Sequence, residues 1–400
     1  MIPPLPLEQA QARLLALADA LPVERVDVAS ALGRYLAEPL TARRTQPSAH
    51  LSAMDGYAVC GPDLSGPWRV IGESAAGHPF GATVASGQAV RIATGALLPQ
   101  GADAVVLQED VARHGDTLTL TGTLPHPPGK HIRHCGSDFR IDHALLPAGA
   151  RLGPAQLALA IAAGHNHLPV HRKVRVAIID SGDELSIDAE TCAEHEIPAS
   201  NGAMLASLIA AIPCHVRRIG PVRDDLDALN AALEQAAEVD VIVTTGGASV
   251  GDHDLIRPAL KAWGAELDFW RVAIKPGKPL LVATKAHQIV LGLPGNPVSS
   301  HVTAYFFLLP LLRALLGAGQ PLPRAIRMQI EASLRPNGDR REFLRARLTD
   351  AGAEALTTQD SGALAAMAAA DALIDRPAGA SAAAPGDAVP VYLLGNGGIA

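Results

Sequence analysis

Residues Asp240 to Asp254 read DVIVTTGGASVGDHD, an apolar strand that runs directly into a glycine-rich turn and then into acidic residues suited to a helix start. Val241, Ile242 and Val243 form a β-branched run of the kind that fills a parallel strand buried on both faces. Gly246, Gly247 and Gly251 lack a Cβ, so backbone N–H groups can approach an anion closely. Phosphates are held this way in α/β proteins. One such turn, taken alone, is weakly specific, because glycine also serves ordinary tight connections.

Outward from this stretch, residues 173–317 alternate strand and helix: VRVAIID, a helix from Asn201, HVRRIG, a helix from Asp224, VIVTT, a helix from Asp254, then LLVAT and IVLGL before a final apolar helix. Alternation of this kind implies a parallel sheet with helices on both faces. Ligands in such folds sit beyond the carboxyl ends of the strands. The relevant loops are therefore SGDEL (181–185), TTGGASVG (244–251) and GLPGNPVSS (292–300), and three glycine-bearing loops at one sheet edge favour a site.

Asp183 and Glu184 follow a strand directly, where carboxylates bind a metal, accept a hydroxyl or cap the next turn, and spacing does not choose among these. Asp224 and Asp225 precede LDALNAALEQAA, whose Leu226, Leu229 and Leu233 make a helical stripe, so one of the two is expected to be an N-cap. Lys275 and Lys278 flank a Pro-Gly turn in IKPGKP, which fits either a solvated hairpin or a phosphate site. His126, His131, His134 and Cys135 lack the paired spacing of a zinc site. Trp263, Phe269 and Trp270 are read as packing at a sheet edge.

Four hundred residues exceed what one core organises, so several domains are expected. The net charge of −7 gives no drive toward nucleic acid. Cys60, Cys135, Cys192 and Cys214 form no CxxC pair, which fits a reducing compartment. The opening MIPPLPLEQAQ has no basic segment followed by an apolar core, and the most lipid-like run, Tyr305 to Leu316, is interrupted by Pro310 and Arg313. The expectation is a cytoplasmic protein with neither a membrane span nor a nucleic-acid partner.

The flanks differ in texture. Leucines at 7, 14, 15, 17 and 21 predict an amphipathic helix over 7–21, ended by Pro22. WRVIG, AVRIATG, DAVVLQE and DTLTLTG predict a small all-β unit between Asp55 and Leu120, and Pro154 opens a helix that Gly164 stops. Beyond about 320, RMQIEA, FLRARL and AVPVYLL are strand-like, with a compositionally biased alanine-rich stretch over 363–384. The expected fold is multidomain α/β plus β. It has a central doubly wound α/β domain with a mostly parallel sheet (173–320), a small all-β domain (46–139), an amino-terminal segment joined to a connector (1–45 with 140–172) and a carboxyl-terminal β domain (321–400).

SAMDGYAV (52–59), RIATGALLPQGADAVVLQED (91–110), SGDEL, TTGGASVGDHD, AIKPGKP (273–279) and GLPGNPVSS, in this order, resemble the molybdopterin molybdenumtransferases, or molybdenum insertases, a family that includes the carboxyl-terminal domain of gephyrin. The resemblance spans nearly the whole chain. It implies four domains, with an elongated amino-terminal arm and a carboxyl-terminal β-barrel-like domain, and a homodimer whose cleft combines both subunits. The implied reaction inserts molybdate into adenylyl-molybdopterin, giving molybdenum cofactor and AMP with the help of Mg2+. Implied partners are molybdopterin adenylyltransferase and molybdoenzyme maturation proteins.

By the same resemblance, the catalytic acids are Asp55, Asp138, Glu184, Asp224 and Asp254, with Glu184 and Asp254 on the metal. The implied substrate-binding residues are Thr94, Ser181, Gly182, Asp183, Thr245, Gly246, Gly247, Ser249, Gly251, Arg271, Lys275, Lys278, Pro294, Gly295, Asn296, Pro297, Ser299 and Arg340. Two carboxylates ~4 Å apart repel by about 4 kcal/mol at an effective dielectric near 20, a conflict that a divalent ion resolves. Which acid does which job stays open.

Several positions depart from the family pattern. AHLSA (49–53) replaces FDNSA, Cys60 stands for an arginine, IRHCGSD (132–138) loses a basic residue and an acid, ASN (199–201) replaces DTN, and SGALAAM (361–367) lacks hydroxyls. Losing one charge-assisted hydrogen bond costs ~1.5–3 kcal/mol, so a weakened paralogue that binds or scaffolds the pterin is one alternative reading. A molybdopterin adenylyltransferase is another.

Overall fold

The computed structural model describes residues 3–61, 64–246 and 255–395. The expectations that rest on Gly247, Ser249, Gly251 and Asp254 fall outside these residues. At the centre is a six-stranded sheet in the order Cys214–Val222, Val174–Ser181, Val241–Thr245, Gln288–Leu293, Leu281–Lys285, Glu266–Trp270. The first four strands are parallel and the last two are antiparallel additions. The strand Glu266–Trp270 was not read from the sequence. It forms the edge of the sheet, and only Phe269 of its five residues is buried, so its apolar pattern is thin.

Alternation along the central strands divides two cores. Val176, Ile178, Val241 and Val243 face the helices Asn201–Ile209 and Pro297–Thr303 with its continuation to Leu315. Ala177, Ile179 and Ile242 face Leu226–Gln235 and Ile256–Ala262. The helical run Pro297–Leu315 passes through a π turn at Ala304–Leu308 and is apolar enough to span a bilayer, yet 89% of its most apolar window is buried inside the protein. That burial accounts for its apolar composition.

The predicted first helix is shorter than its leucine pattern, running Leu7–Ala16, because Leu17 ends it with its amide on the Leu14 carbonyl. Leu7, Ala10 and Leu14 insert into the core of the central sheet, with Leu17 and Leu21 packed against it from the following turn. The chain then forms Val23–Asp27 and Leu40–Thr41, which pair with His167–His171 and Ala144–Leu146 respectively. Between them lies a second six-stranded sheet, in the order Ala104–Leu107, Gly56–Val59, Gln88–Ile92, Trp68–Ser74, Thr117–Leu120, Val111–His114.

The carboxyl-terminal sheet runs Ile274–Lys275, Arg341–Thr349, Ala372–Arg376, Ala388–Leu393, Ile326–Gln329, with Gly352–Ala355 paired to Arg341–Thr349. A parallel bridge from Ile330 to Ala353 joins the end of the sheet at Ile326–Gln329 to the branch strand Gly352–Ala355. Ala372–Arg376, buried throughout, and the helix Leu364–Ala368 both lie within the alanine-rich stretch, whose composition concealed them.

Asp240, the first residue of the quoted stretch, is 2% exposed and accepts two hydrogen bonds from the Arg172 guanidinium, at 2.7 and 2.8 Å, and one from the Arg175 amide at 2.7 Å. Burial pushes its pKa up, but the bonds from Arg172 and Arg175 outweigh that and hold the carboxyl below its usual value. A depressed folded-state pKa contributes stability above the unfolded value, near ~3.9, that is lost as pH falls through the folded value. Asp240→Asn is therefore expected to destabilise the protein by about 2–4 kcal/mol at pH 7. The gap from wild type should close below about pH 4 in urea titrations.

Candidate functional site

Strands Val174–Ser181, Val241–Thr245 and Gln288–Leu293 are parallel and in register, with Asp180 beside Thr245 and Thr245 beside Leu293. Their following loops consequently start side by side. Gly246 has φ +90, and a Cβ there would stand 2.3 Å from the Ser181 carbonyl oxygen. Only glycine lets the two loops approach this closely. A Cβ on Gly295 would in turn lie 3.5 Å from Gly246 Cα. The Asn201 side chain, at the start of its helix, donates Nδ2 to the Gly295 carbonyl at 2.7 Å. Ser181, Gly182, Thr245, Gly246 and Gly295 are thus brought together, with Ser181 Oγ donating to the Thr245 carbonyl at 3.4 Å.

Asp180 lies directly beneath this junction and is 3% exposed. It accepts from Thr245 Oγ1 at 2.9 Å and from the Gly202 amide, and Arg218 stands 3.7 Å away. Burial raises its pKa, and Thr245, Arg218 and Gly202 offset the rise only in part. Neither Asp180 nor Asn201 was singled out from sequence. The available signals were the polar residue that ends an apolar strand and the amide that starts the next helix.

On the rim, Asp183 Oδ1 accepts the Asp224 amide at 3.2 Å. The Glu184 carboxylate folds back over Gly182, 2.5 Å from where a Cβ would be. Asp225 supplies the N-cap of Leu226–Gln235, accepting the Asp227 amide at 2.8 Å, so the capping expected of one residue of the pair falls to Asp225. Asp183 and Glu184 are exposed and Asp224 is half-buried.

Pro294 is buried, Asn296 is exposed, and Pro297 opens the following helix. Ser299 is buried, and its carbonyl takes the Thr303 hydroxyl at 2.7 Å. Asn296 Nδ2 donates to Ser361 Oγ at 3.0 Å, and the Ser361 carbonyl accepts the Val298 amide at 3.2 Å. A loop from the carboxyl-terminal sheet thereby forms a wall of the site. Gly277 packs beside this wall, since its Cβ position is 3.6 Å from the Ser299 carbonyl.

Of the expected cations, Arg271 has φ +88 and stacks on Trp270 at 4.1 Å, Lys278 is exposed, and Lys275 Nζ lies 2.5 Å from Glu342. Lys275 therefore carries a carboxylate partner that an incoming anion would have to compete with. The Arg340 carbonyl accepts Asn337 Nδ2 at 3.2 Å.

Asp55, Thr94 and Asp138 lie elsewhere in the chain. Asp55 Oδ1 accepts the Thr94 amide at 2.7 Å and the Thr94 hydroxyl at 3.0 Å, bonds that hold its pKa below the usual carboxylate value. The Asp138 amide donates to the Gln46 carbonyl. Among the described residues, the hydrogen bonds of these three stay within 46–139, so the structure does not bring them to the strand ends through any bond of its own. His134 and His50 stand 3.3 Å apart through their Nδ1 atoms, but among the described residues no cluster of three or more His, Cys, Asp or Glu is arranged to hold a metal.

This arrangement coincides with known families along the chain. A family model described as MoeA N-terminal region (domain I and II) matches residues 5–164, one described as probable molybdopterin binding domain matches 177–314, and one described as MoeA C-terminal region (domain IV) matches 327–394. A curated molybdopterin molybdenumtransferase of Haemophilus influenzae is 35% identical over 79% of both chains. One of Staphylococcus aureus is 30% identical over 98% of this chain and 96% of its own. The solved molybdopterin biosynthesis moeA protein of Pyrococcus horikoshii superposes with a TM-score of 0.84 at 26% identity, covering 98% of this chain and 100% of that one.

Gly246→Ala is expected to cost at least about 2 kcal/mol, from left-handed strain plus the contact with Ser181. Gly95 has φ +79 and open space around its Cβ position. Gly95→Ala, which carries the conformational cost alone, should lose about 1 kcal/mol. Chemical denaturation of the two variants separates backbone strain from the loop contact.

Proposed function

This chain belongs to the molybdopterin molybdenumtransferase family, and on that footing we propose that it inserts molybdate into adenylyl-molybdopterin, releasing AMP and the molybdenum cofactor. The observation that supports this reading most directly is the junction of Ser181, Gly246 and Gly295, where three strand-end loops meet closely enough that Gly246 tolerates no side chain. Molybdate, the pterin phosphate and the adenylate are all anionic. Backbone donors and cations suit them, and Lys278 and Arg271 lie on the segment that borders the Ser299 helix.

The exposed carboxylates on the rim, Asp183 and Glu184 with Asp224 next to them, would repel those substrates unless a cation intervened. Their donors are hard oxygens, which fit Mg2+, an ion that takes one or two carboxylates and fills its remaining positions with water and phosphate oxygens. Glu184, together with Asp254, would hold it, and the ion would neutralise charge on the phosphate oxygens at the bond that breaks. The chain's own residues then have distinct tasks. Ser181 and Thr245, whose hydroxyls are engaged by the Thr245 carbonyl and by Asp180, hold the loop ends beside the pterin phosphate, Asn201 fixes the Gly295 carbonyl, and Asn296 with Ser361 closes one side. Asp224 orients the attacking group, or takes its proton, beside Asp183.

Asp55, Thr94 and Asp138 complete the cleft, in this reading, from the second subunit of a homodimer. Their separate hydrogen bonding within 46–139 motivates that assignment. We also infer the division into domains 1–45 with 140–172, 46–139, 173–320 and 321–400, a cytoplasmic location, and molybdopterin adenylyltransferase as the supplier of the substrate.

Neighbouring aspartates provide the test. With adenylyl-molybdopterin, molybdate and Mg2+, the wild type should release AMP, and Asp224→Ala should lower that rate by about a hundredfold or more, the range removed with a group that acts in proton transfer. Asp225→Ala should keep the rate and lose about 1 kcal/mol of stability, because only a cap is removed. No AMP from the wild type, under conditions in which a known insertase produces it, overturns the assignment.

A further inference from the structure

A cavity of about 370 Å3 lies between the connector and the end of the long apolar helix, on other residues than the strand-end site. Tyr35, Arg151, Arg313, Gln320 and Arg324 supply its polar lining, and no carboxylate lines it. In a chain of net charge −7, three guanidiniums line this cavity with no acid among them. Arg313 is 2% exposed and donates Nη1 to the Pro321 carbonyl at 3.3 Å, so its charge has been taken out of water, at a cost that an apolar residue there would avoid.

The geometry holds these groups close to one another. Tyr35 and Arg151 oppose each other across an antiparallel bridge. Burial raises the pKa of the buried Tyr35 hydroxyl, and the charges of Arg313 and Arg151 both pull against the rise. Burial lowers the Arg313 pKa, Tyr35 and Tyr305 work against the fall, and the charge of Arg151 adds to it. Arg151 and Arg324 are exposed and, among the described residues, form no ion pair.

The backbone around the cavity is fixed. Gly319 donates its amide to the Gly149 carbonyl at 3.1 Å, and Gly149, at φ +76, leaves no room for a Cβ, which would stand 2.5 Å from Gly319 N. The two segments that carry the arginines are therefore held in contact, and the cavity bridges them. Arg313 lies in the last turn of its helix, whose carboxyl end offsets part of its charge. Guanidinium pairs on phosphate oxygens are bidentate and specific, and the volume falls in the ordinary range for small ligands, ~300–1,000 Å3.

We propose that the cavity lined by Tyr35, Arg151, Arg313 and Arg324 is a second anion site, separate from the strand-end site, that takes a phosphate-class polyanion and ties the connector to the α/β domain. Its ligand is either an inorganic polyphosphate or the phosphate of a nucleotide.

The test is calorimetric titration of the full chain with inorganic pyrophosphate at low salt, followed by competition with AMP. The expected result is a binding event that Lys278→Gln leaves in place and that Arg151→Gln combined with Arg324→Gln weakens by at least about tenfold, as for lost charge-assisted hydrogen bonds. Both arginines are exposed, so the double variant should fold as the wild type does, which circular dichroism checks. Competition by AMP that is lost in the double variant assigns a nucleotide phosphate, and no competition in the wild type assigns an inorganic polyphosphate. Wild-type affinity in the double variant overturns the proposal, as does loss of the whole titration in Lys278→Gln. Loss of AMP release in the catalytic assay, with this titration intact, would sink the proposed reaction and leave the second site standing.

Discussion

One buried carboxylate organises the strand-end site. Asp180 takes the Thr245 hydroxyl, the Gly202 amide and the field of Arg218, so a single side chain links two parallel strands, the start of a helix and the neighbouring strand Cys214–Val222. A buried acid without such partners would cost several kcal/mol. With them, it fixes where Ser181 and Thr245 end and therefore where Gly246 must turn. The close approach of Gly246 to the Ser181 carbonyl follows from that anchoring, and so does the place of Gly295 beside it.

A second set of contacts fastens the carboxyl-terminal sheet to this frame. Ile274–Lys275 pairs in parallel with Arg341–Glu342. Arg341 binds Asp375 within its own sheet and Glu8 of the first helix. The loop that carries Ser361 is held in turn by Gln359, whose side chain bonds both the amide and the carbonyl of Arg345. The sheet that supplies Ser361 to Asn296 is thus positioned by ordinary backbone pairing and by the ion pairs of Arg341. Site geometry here is a consequence of how two sheets are joined.

Legibility differed by physical cause. Buried parallel strands were readable because burial on both faces leaves a continuous β-branched run, as in Val241–Val243, and Gly246 was readable because backbone crowding there excludes every other residue. Ala372–Arg376 was hidden by its alanine-rich neighbourhood, although all five of its residues are buried. Glu266–Trp270 was hidden because an edge strand needs few apolar residues. The first helix stops at Ala16, earlier than its leucines suggest, because leucines past its end still pack against the core from a turn. Asp225 could be paired with capping in general terms, but the choice of Asp225 over Asp224 depends on the backbone conformation at the helix start.

The sequence by itself determined the alternation of strand and helix, the positions of the three loops that could face a ligand, and the family resemblance, since each rests on local periodicity or on residues contiguous in the chain. Tertiary structure alone decided that Asn201 reaches Gly295, that Ser361 reaches Asn296 across 65 positions, and that Lys275 faces Glu342. Those contacts join residues far apart along the chain. They exist because sheet register and loop closure bring them together, and no local pattern in the sequence records that register.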